Sequence, residues 1–243
     1  MNLPARWTSV EMILRDVVYI SYRVPASLVR SRVPGHLSPA VVGDDQAFIT
    51  VMMFQVERAR AARLPSPQTT YHQINVMTYV QEPQSGETAI YFLRKGATKP
   101  GVVRAMRWLR MPVDPIEVQI SAQRDHRDHY AFYKARGSWN GEFQVHVRQV
   151  APRLEALPPF ESGQDAVIYL TDPLIGYYGG GRSTYRLESW HPRAQPRVGV
   201  VESLALPFLE GIVGKEVAQA APAVVLLAPR HHYLIHLPPR RSA

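Results

Sequence analysis

Runs of β-branched and aromatic residues, each five to ten residues long and each closed by turn-forming residues, recur from one end of this chain to the other. They fall at 16–22, 47–56, 72–80, 88–94, 117–123, 130–136, 142–150, 183–189, 197–203, 224–228 and 231–237. Short strands punctuated in this way make antiparallel barrels or sandwiches, so the fold class expected is mainly β with a few helices. Three segments depart from the pattern. Residues 25–30 open with a proline suited to a first helical turn, 102–109 follow Lys99-Pro100-Gly101 with apolar residues at helical spacing, and 207–217 carry Phe208, Ile212 and Val213 on one side. The 21 prolines and 15 glycines lie mostly between the runs, and no composition shift marks a linker. One domain over 1–243 is therefore expected, since barrels of this length commonly form a single unit.

Composition removes several classes of chemistry. The chain has no cysteine, which excludes disulfides, thiolate nucleophiles and thiolate metal sites. No run of 18 apolar residues is present, and the first residues lack the apolar stretch of a signal peptide, so a cytoplasmic protein without a membrane partner is expected. The net charge of +8 raises the question of nucleic acid. Only four of the basic residues are lysine (Lys95, Lys99, Lys134, Lys215), and the arginines recur singly instead of clustering with aromatics, so no nucleic-acid partner is expected. Phosphate loops, nucleotide fingerprints, nucleophile elbows and His-Glu-x-x-His are all missing. His126 and His129 sit in a charged connection between two strands, and His232 and His236 are too far apart along a strand to share an ion, so no metal or cofactor is expected.

The run 72–80 carries the most chemical information. Alternation puts Gln73, Asn75, Met77 and Tyr79 on one face and Ile74, Val76, Thr78 and Val80 on the other, as for a strand lining a polar-tipped cavity or lying half exposed on a sheet. Gln73-Ile74-Asn75-Val76-Met77-Thr78-Tyr79-Val80, followed by Thr88-Ala89-Ile90-Tyr91-Phe92-Leu93, resembles the Glu-x-Asn-Val-Arg-Thr-Tyr-Val element and next strand of the YqjF-like family of unknown function, DUF2071. Val33-Pro34-Gly35-His36-Leu37, Gly181-Arg182-Ser183-Thr184-Tyr185-Arg186-Leu187 and Pro222-Ala223-Val224-Val225-Leu226-Leu227 extend the resemblance along the chain in the same order. That family is placed by fold with the acetoacetate decarboxylases, which implies a closed or strongly bent β-barrel with an interior cavity.

The resemblance also implies a site. Arg15-Asp16-Val17-Val18-Tyr19-Ile20-Ser21-Tyr22-Arg23 is similar to the decarboxylase segment that starts with an active-site arginine. Decarboxylases of this kind form a Schiff base through one lysine of an adjacent pair. Counting without gaps from Ile90 to Pro115 sets Arg110 and Met111 at that pair, and arginine cannot form the imine. Incubation with acetoacetate and borohydride is then expected to leave no adduct, unless Lys95 or Lys99 occupies the position in another register. Gln73 and Met77 stand where relatives carry glutamate and arginine, which replaces a proton-exchanging carboxylate with an amide. The expectation is a site in which Arg15 and Arg110 hold a carboxylate or enolate while Gln73, Asn75, Tyr79 and Tyr91 contact the substrate. A lyase or isomerase working by enolate stabilisation and a non-catalytic ligand-binding barrel both remain open, as does a homo-oligomer.

Overall fold

The computed structural model describes residues 8–63, 68–180 and 183–242. In chain order the elements begin with β1 (Val10–Pro25), α1 (Ala26–Arg30), β2 (Ser38–Pro39), β3 (Gln46–Ala61), β4 (Thr69–Gln81), β5 (Thr88–Ala97), α2 (Pro100–Trp108) and β6 (Val113–Pro115). A hairpin meander, β7 (Glu117–Arg124), β8 (Tyr130–Ser138) and β9 (Glu142–Ala151), follows. The last third holds α3 (Gly163–Thr171), β10 (Ile175–Tyr178), β11 (Tyr185–Trp190), β12 (Arg197–Ala205), α4 (Pro207–Val213), α5 (Lys215–Gln219) and β13 (Val224–Arg241). Strand accounts for 55% of the chain and helix for 15%, so the mainly β expectation holds.

Seven strands close into a barrel in the order β1-β3-β4-β5-β10-β11-β13, with β13 pairing back onto β1 over Val10↔Ile235 to Ser21↔Val224. From β13 the sheet continues through β12, β9 and β8 to β7 and folds back over the outer face of β1, β3 and β4. Each barrel strand thus serves two cores by alternation. Tyr19, Phe48, Met52, Met77 and Leu226 point into the barrel, whereas Val18, Ile20, Val51, Val76 and Leu227 meet Tyr133, Val145 and Val147 of the outer layer. Within the outer layer, neighbouring strands approach closely at Gly137, where a Cβ would stand 1.9 Å from the Glu117 carbonyl oxygen across the β7–β8 ladder. Gly137→Ala is expected to cost about 2 kcal/mol or more, read as a lower urea midpoint, and an unchanged midpoint would show that this strand pair yields freely.

Two boundaries differ from the sequence expectation for identifiable reasons. The runs 224–228 and 231–237 form one 18-residue strand, β13, that passes straight through Pro229. Pro229 lies opposite Asp16, the one β1 position that the β1–β13 ladder skips, so its missing N–H breaks no bond there. The single helix expected at 207–217 is divided into α4 and α5 by Gly214, whose φ of +85° stops the first.

Candidate functional site

A cavity of about 90 Å³ lies inside the barrel, walled by the inner faces of β1, β3, β4, β5, β10, β11 and β13 and by the end of α3. By the same measure a water molecule needs about 10 to 15 Å³, so the space suits about half a dozen non-hydrogen atoms. Its wall is largely apolar, with Met12, Leu14, Met52, Phe54, Met77, Phe92 and Leu187 prominent. The polar groups are few: Gln73, Asn75, Lys95, Thr171, Ser189 and the phenols of Tyr19 and Tyr233. Burial raises both phenols, Tyr233 to about 12, so they stay protonated at neutral pH. Pro173 and Ser189 also line an outer groove of about 860 Å³, which makes the 171–175 turn the partition between cavity and solvent.

Two bulges decide which side chains reach this space. On β4 strict alternation delivers Gln73, Asn75 and Met77. On β5, Ile90 and Phe92 point inward opposite Tyr79 and Met77, and continued alternation would bring Arg94 next. Instead Val76 pairs with Arg94 while Met77 pairs with Phe92, which leaves Leu93 as the extra residue. Beyond it Lys95 stands opposite Asn75, and Arg94 turns outward to an ion pair with Asp114 at 2.7 Å and the face of Trp139 at 4.4 Å. On β1 the second bulge falls between Arg15 and Val18, with Asp16 at φ +49°. Met12 and Leu14 face inward before it and Val17 and Tyr19 after it, so Arg15 and Asp16 are both expelled.

Lys95 is the unusual residue of the cavity. It is 5% exposed, its Nζ lies 3.4 Å from the centre of the Phe92 ring, and it has no hydrogen-bond or ion-pair partner among the described residues. Loss of hydration is the cause that lowers its pKa from 10.5 to about 7, so near neutrality a large share of the amine is uncharged and nucleophilic. The amides beside it form a pair in which Gln73 Nε2 donates to Asn75 Oδ1 at 2.7 Å. Gln73 Oε1 is buried with no partner among the described residues, and Asn75 Nδ2 has only a 4.0 Å contact with Met52 Sδ.

The sequence profile of the uncharacterized conserved proteins DUF2071 matches residues 11–231. The chain belongs to the DUF2071 family. No curated protein matches it. Among solved structures, acetoacetate decarboxylase from Legionella pneumophila superposes with a TM-score of 0.64 at 10% identity, covering 100% of this chain and 93% of that one. An acetoacetate decarboxylase-like enzyme from Sphingomonas wittichii RW1 gives 0.61 at 11% identity, over 98% and 94%. The enduracididine biosynthesis enzyme MppR, complexed with the condensation product of pyruvate and imidazole 4-carboxaldehyde, gives 0.58 at 14% identity, over 96% and 87%. At these identities the likeness is one of fold.

In this DUF2071 chain the residues expected at the site separate into two groups. Gln73 and Asn75 line the cavity. Arg15 and Arg110 do not, which corrects the expected convergence of all four: Arg15 has 47% of its side chain exposed and lies 3.8 Å from Asp16, and Arg110 is exposed and donates to the Tyr185 hydroxyl at 2.7 Å. The bulge at Asp16 explains the first, and the position of Arg110 just past the end of α2, at φ +61°, explains the second. Tyr79 lies behind the wall. It donates to the Leu170 carbonyl at 2.8 Å and stacks near Tyr169, fastening α3 over the barrel. Tyr91 faces the outer core and donates to the Gly179 carbonyl. Lys95, left open in the sequence as an alternative in another register, lines the cavity. Gly181 and Arg182, quoted in the family resemblance, lie outside the described residues.

Among the described residues no helix is long and apolar enough to cross a membrane, and no three His, Asp or Glu side chains are placed to hold a metal ion.

Proposed function

We propose that the DUF2071 barrel binds a small carbonyl compound and condenses it with Lys95. The observation that carries this reading is a buried amine with no partner among the described residues, its pKa brought to about 7, facing a mostly apolar cavity inside the barrel. The neutral amine adds its lone pair to the carbonyl carbon. One N–H proton and one solvent proton go to the oxygen, which leaves as water, and the iminium that remains draws electrons from the neighbouring carbon. A C–C bond there can then form or break without a strong base, which is a lyase or condensation chemistry. Asn75 Nδ2 is available to hold the carbonyl oxygen. The relative MppR is known in complex with pyruvate, itself a small carbonyl compound, which agrees in ligand size with the cavity here. The described lining has no carboxylate or imidazole, and this favours, as the second reading, a barrel that captures a carbonyl compound without turning it over.

Acetylacetone tests the proposal without a reductant. Its condensation with an amine releases water, loses a proton from the central carbon and leaves a conjugated enaminone that absorbs in the near ultraviolet. At neutral pH the absorbance should appear, and peptide mass mapping should find the adduct on Lys95 in preference to Lys99, Lys134 and Lys215. An adduct spread over all four lysines, or none, would overturn the assignment.

A further inference from the structure

We infer that the cavity selects uncharged carbonyl compounds carrying a hydrogen-bond donor, such as hydroxyketones or ketoamides, and turns away keto acids of the same size. The inference rests on the reading of Lys95 as an imine-forming amine and adds the substrate class. Its ground is the composition of the lining. Among the described residues no arginine, histidine or second lysine borders the cavity. The arginines nearest in sequence are committed outside it: Arg15 lies by Asp16, Arg94 pairs with Asp114, and Arg110 donates to Tyr185.

A carboxylate brought into this space has only Lys95 for a counter-ion. Burying a carboxylate unpaired is prohibitive, so a keto acid would be held by the ammonium. An opposite charge at short range favours the protonated amine, and the protonated amine has no lone pair with which to attack. Such a pair would also desolvate two charges in a mostly apolar cavity, a penalty that their attraction does not fully repay, so the keto acid enters weakly as well as forgoing the imine. A neutral carbonyl compound imposes no such conflict.

The amide pair supplies an independent argument. One hydrogen bond joins Gln73 to Asn75, which leaves Gln73 Oε1, on a side chain 4% exposed, as an unfilled acceptor and Asn75 Nδ2 as a donor group. Exchanging N and O in both amides leaves the same pair of functions, one acceptor and one donor. A buried acceptor left empty is costly, and it is satisfied by an O–H or N–H of the ligand. A carboxylate offers no hydrogen and would set oxygen against oxygen.

Acetoacetamide and acetoacetate decide the matter, because they have the same number of non-hydrogen atoms and differ in charge and in the N–H donor. Each is added as a competitor while acetylacetone labels Lys95 at about pH 7.5. Acetoacetamide should halve the labelling rate at a concentration at least about tenfold below that of acetoacetate. Equal or better protection by acetoacetate would overturn the inference and leave the Lys95 reading intact. If acetylacetone labels nothing, the Lys95 reading fails, and calorimetric titration of the whole protein with the same two compounds still reads the preference: tighter binding of acetoacetamide supports it, and tighter binding of acetoacetate refutes it.

Discussion

Replacing Lys95 by methionine is expected to stabilise the protein by about 5 kcal/mol below pH 7 and, from the charge, by almost nothing above pH 10.5. The unfolded chain holds the Lys95 proton up to pH 10.5, whereas burial releases it in the folded protein at about pH 7. Between those values the unfolded state binds more protons, so the wild type gains stability as pH rises, by about 1.4 kcal/mol per pH unit. Below pH 7 both states are protonated and the whole cost of burying an ammonium is present. Methionine is unbranched and only one non-hydrogen atom shorter than lysine, and its thioether packs well against an aromatic ring such as Phe92, so removing the charge leaves no large void. Urea unfolding of both proteins at about pH 6, 8 and 10 measures the difference, in which every other titrating group cancels. A difference that does not change with pH would mean that water or an unseen anion keeps the Lys95 ammonium comfortable, and the lowered pKa would have to be abandoned.

The same residue shows how far the sequence could be read. The β-rich fold and most strand positions were legible, because the inner and outer faces of β3 as far as Val56, of β4 and of β9 follow unbroken alternation. Gln73 and Asn75 were legible for the same reason. Arg15 and Lys95 were not. Each lies beside a bulge, one at Asp16 and one at Leu93, and a single extra residue reverses the facing of everything after it. Nothing in Phe92-Leu93-Arg94-Lys95 announces that slip: Leu93 is an ordinary strand residue, and the bulge exists because the two strands must bend to close the barrel. An ungapped count from Ile90 leads to Arg110, which lies past α2 and outside the cavity, and passes over the Arg94-Lys95 pair on β5. Helix α3, which roofs the cavity, did carry a signal. Ser162-Gly163-Gln164-Asp165 is a capping sequence, and Ser162 does accept from the Asp165 amide, but the short apolar run 166–170 behind it is equally compatible with a strand.

Gln73→Glu should silence Lys95 near neutral pH. Asn75 and Lys95 are direct partners across β4 and β5, and residue 73 lies diagonally across from Lys95, within reach of a long side chain. A glutamate there would meet the amine in a nearly dry space, where each group alone prefers to be neutral. Together they share one proton more cheaply as an ion pair than apart, provided they touch, and the amine is the stronger base. The pKa of Lys95 should then rise by about one to three units, and acetylacetone labelling at pH 7 should fall by about fivefold to five-hundredfold and recover only at higher pH. Gln73→Leu separates charge from lost amide: it removes the hydrogen bond to Asn75 but brings no carboxylate, so any change in the labelling rate leaves its rise centred near pH 7. The pH at which labelling reaches half its plateau is therefore the measurement that matters. A midpoint moved upward in Gln73→Glu alone would show directly that a carboxylate in this cavity holds the amine protonated, which is the reason given above for the exclusion of keto acids. Equal midpoints in wild type and both variants would place residue 73 out of electrostatic contact with Lys95 and remove that reason.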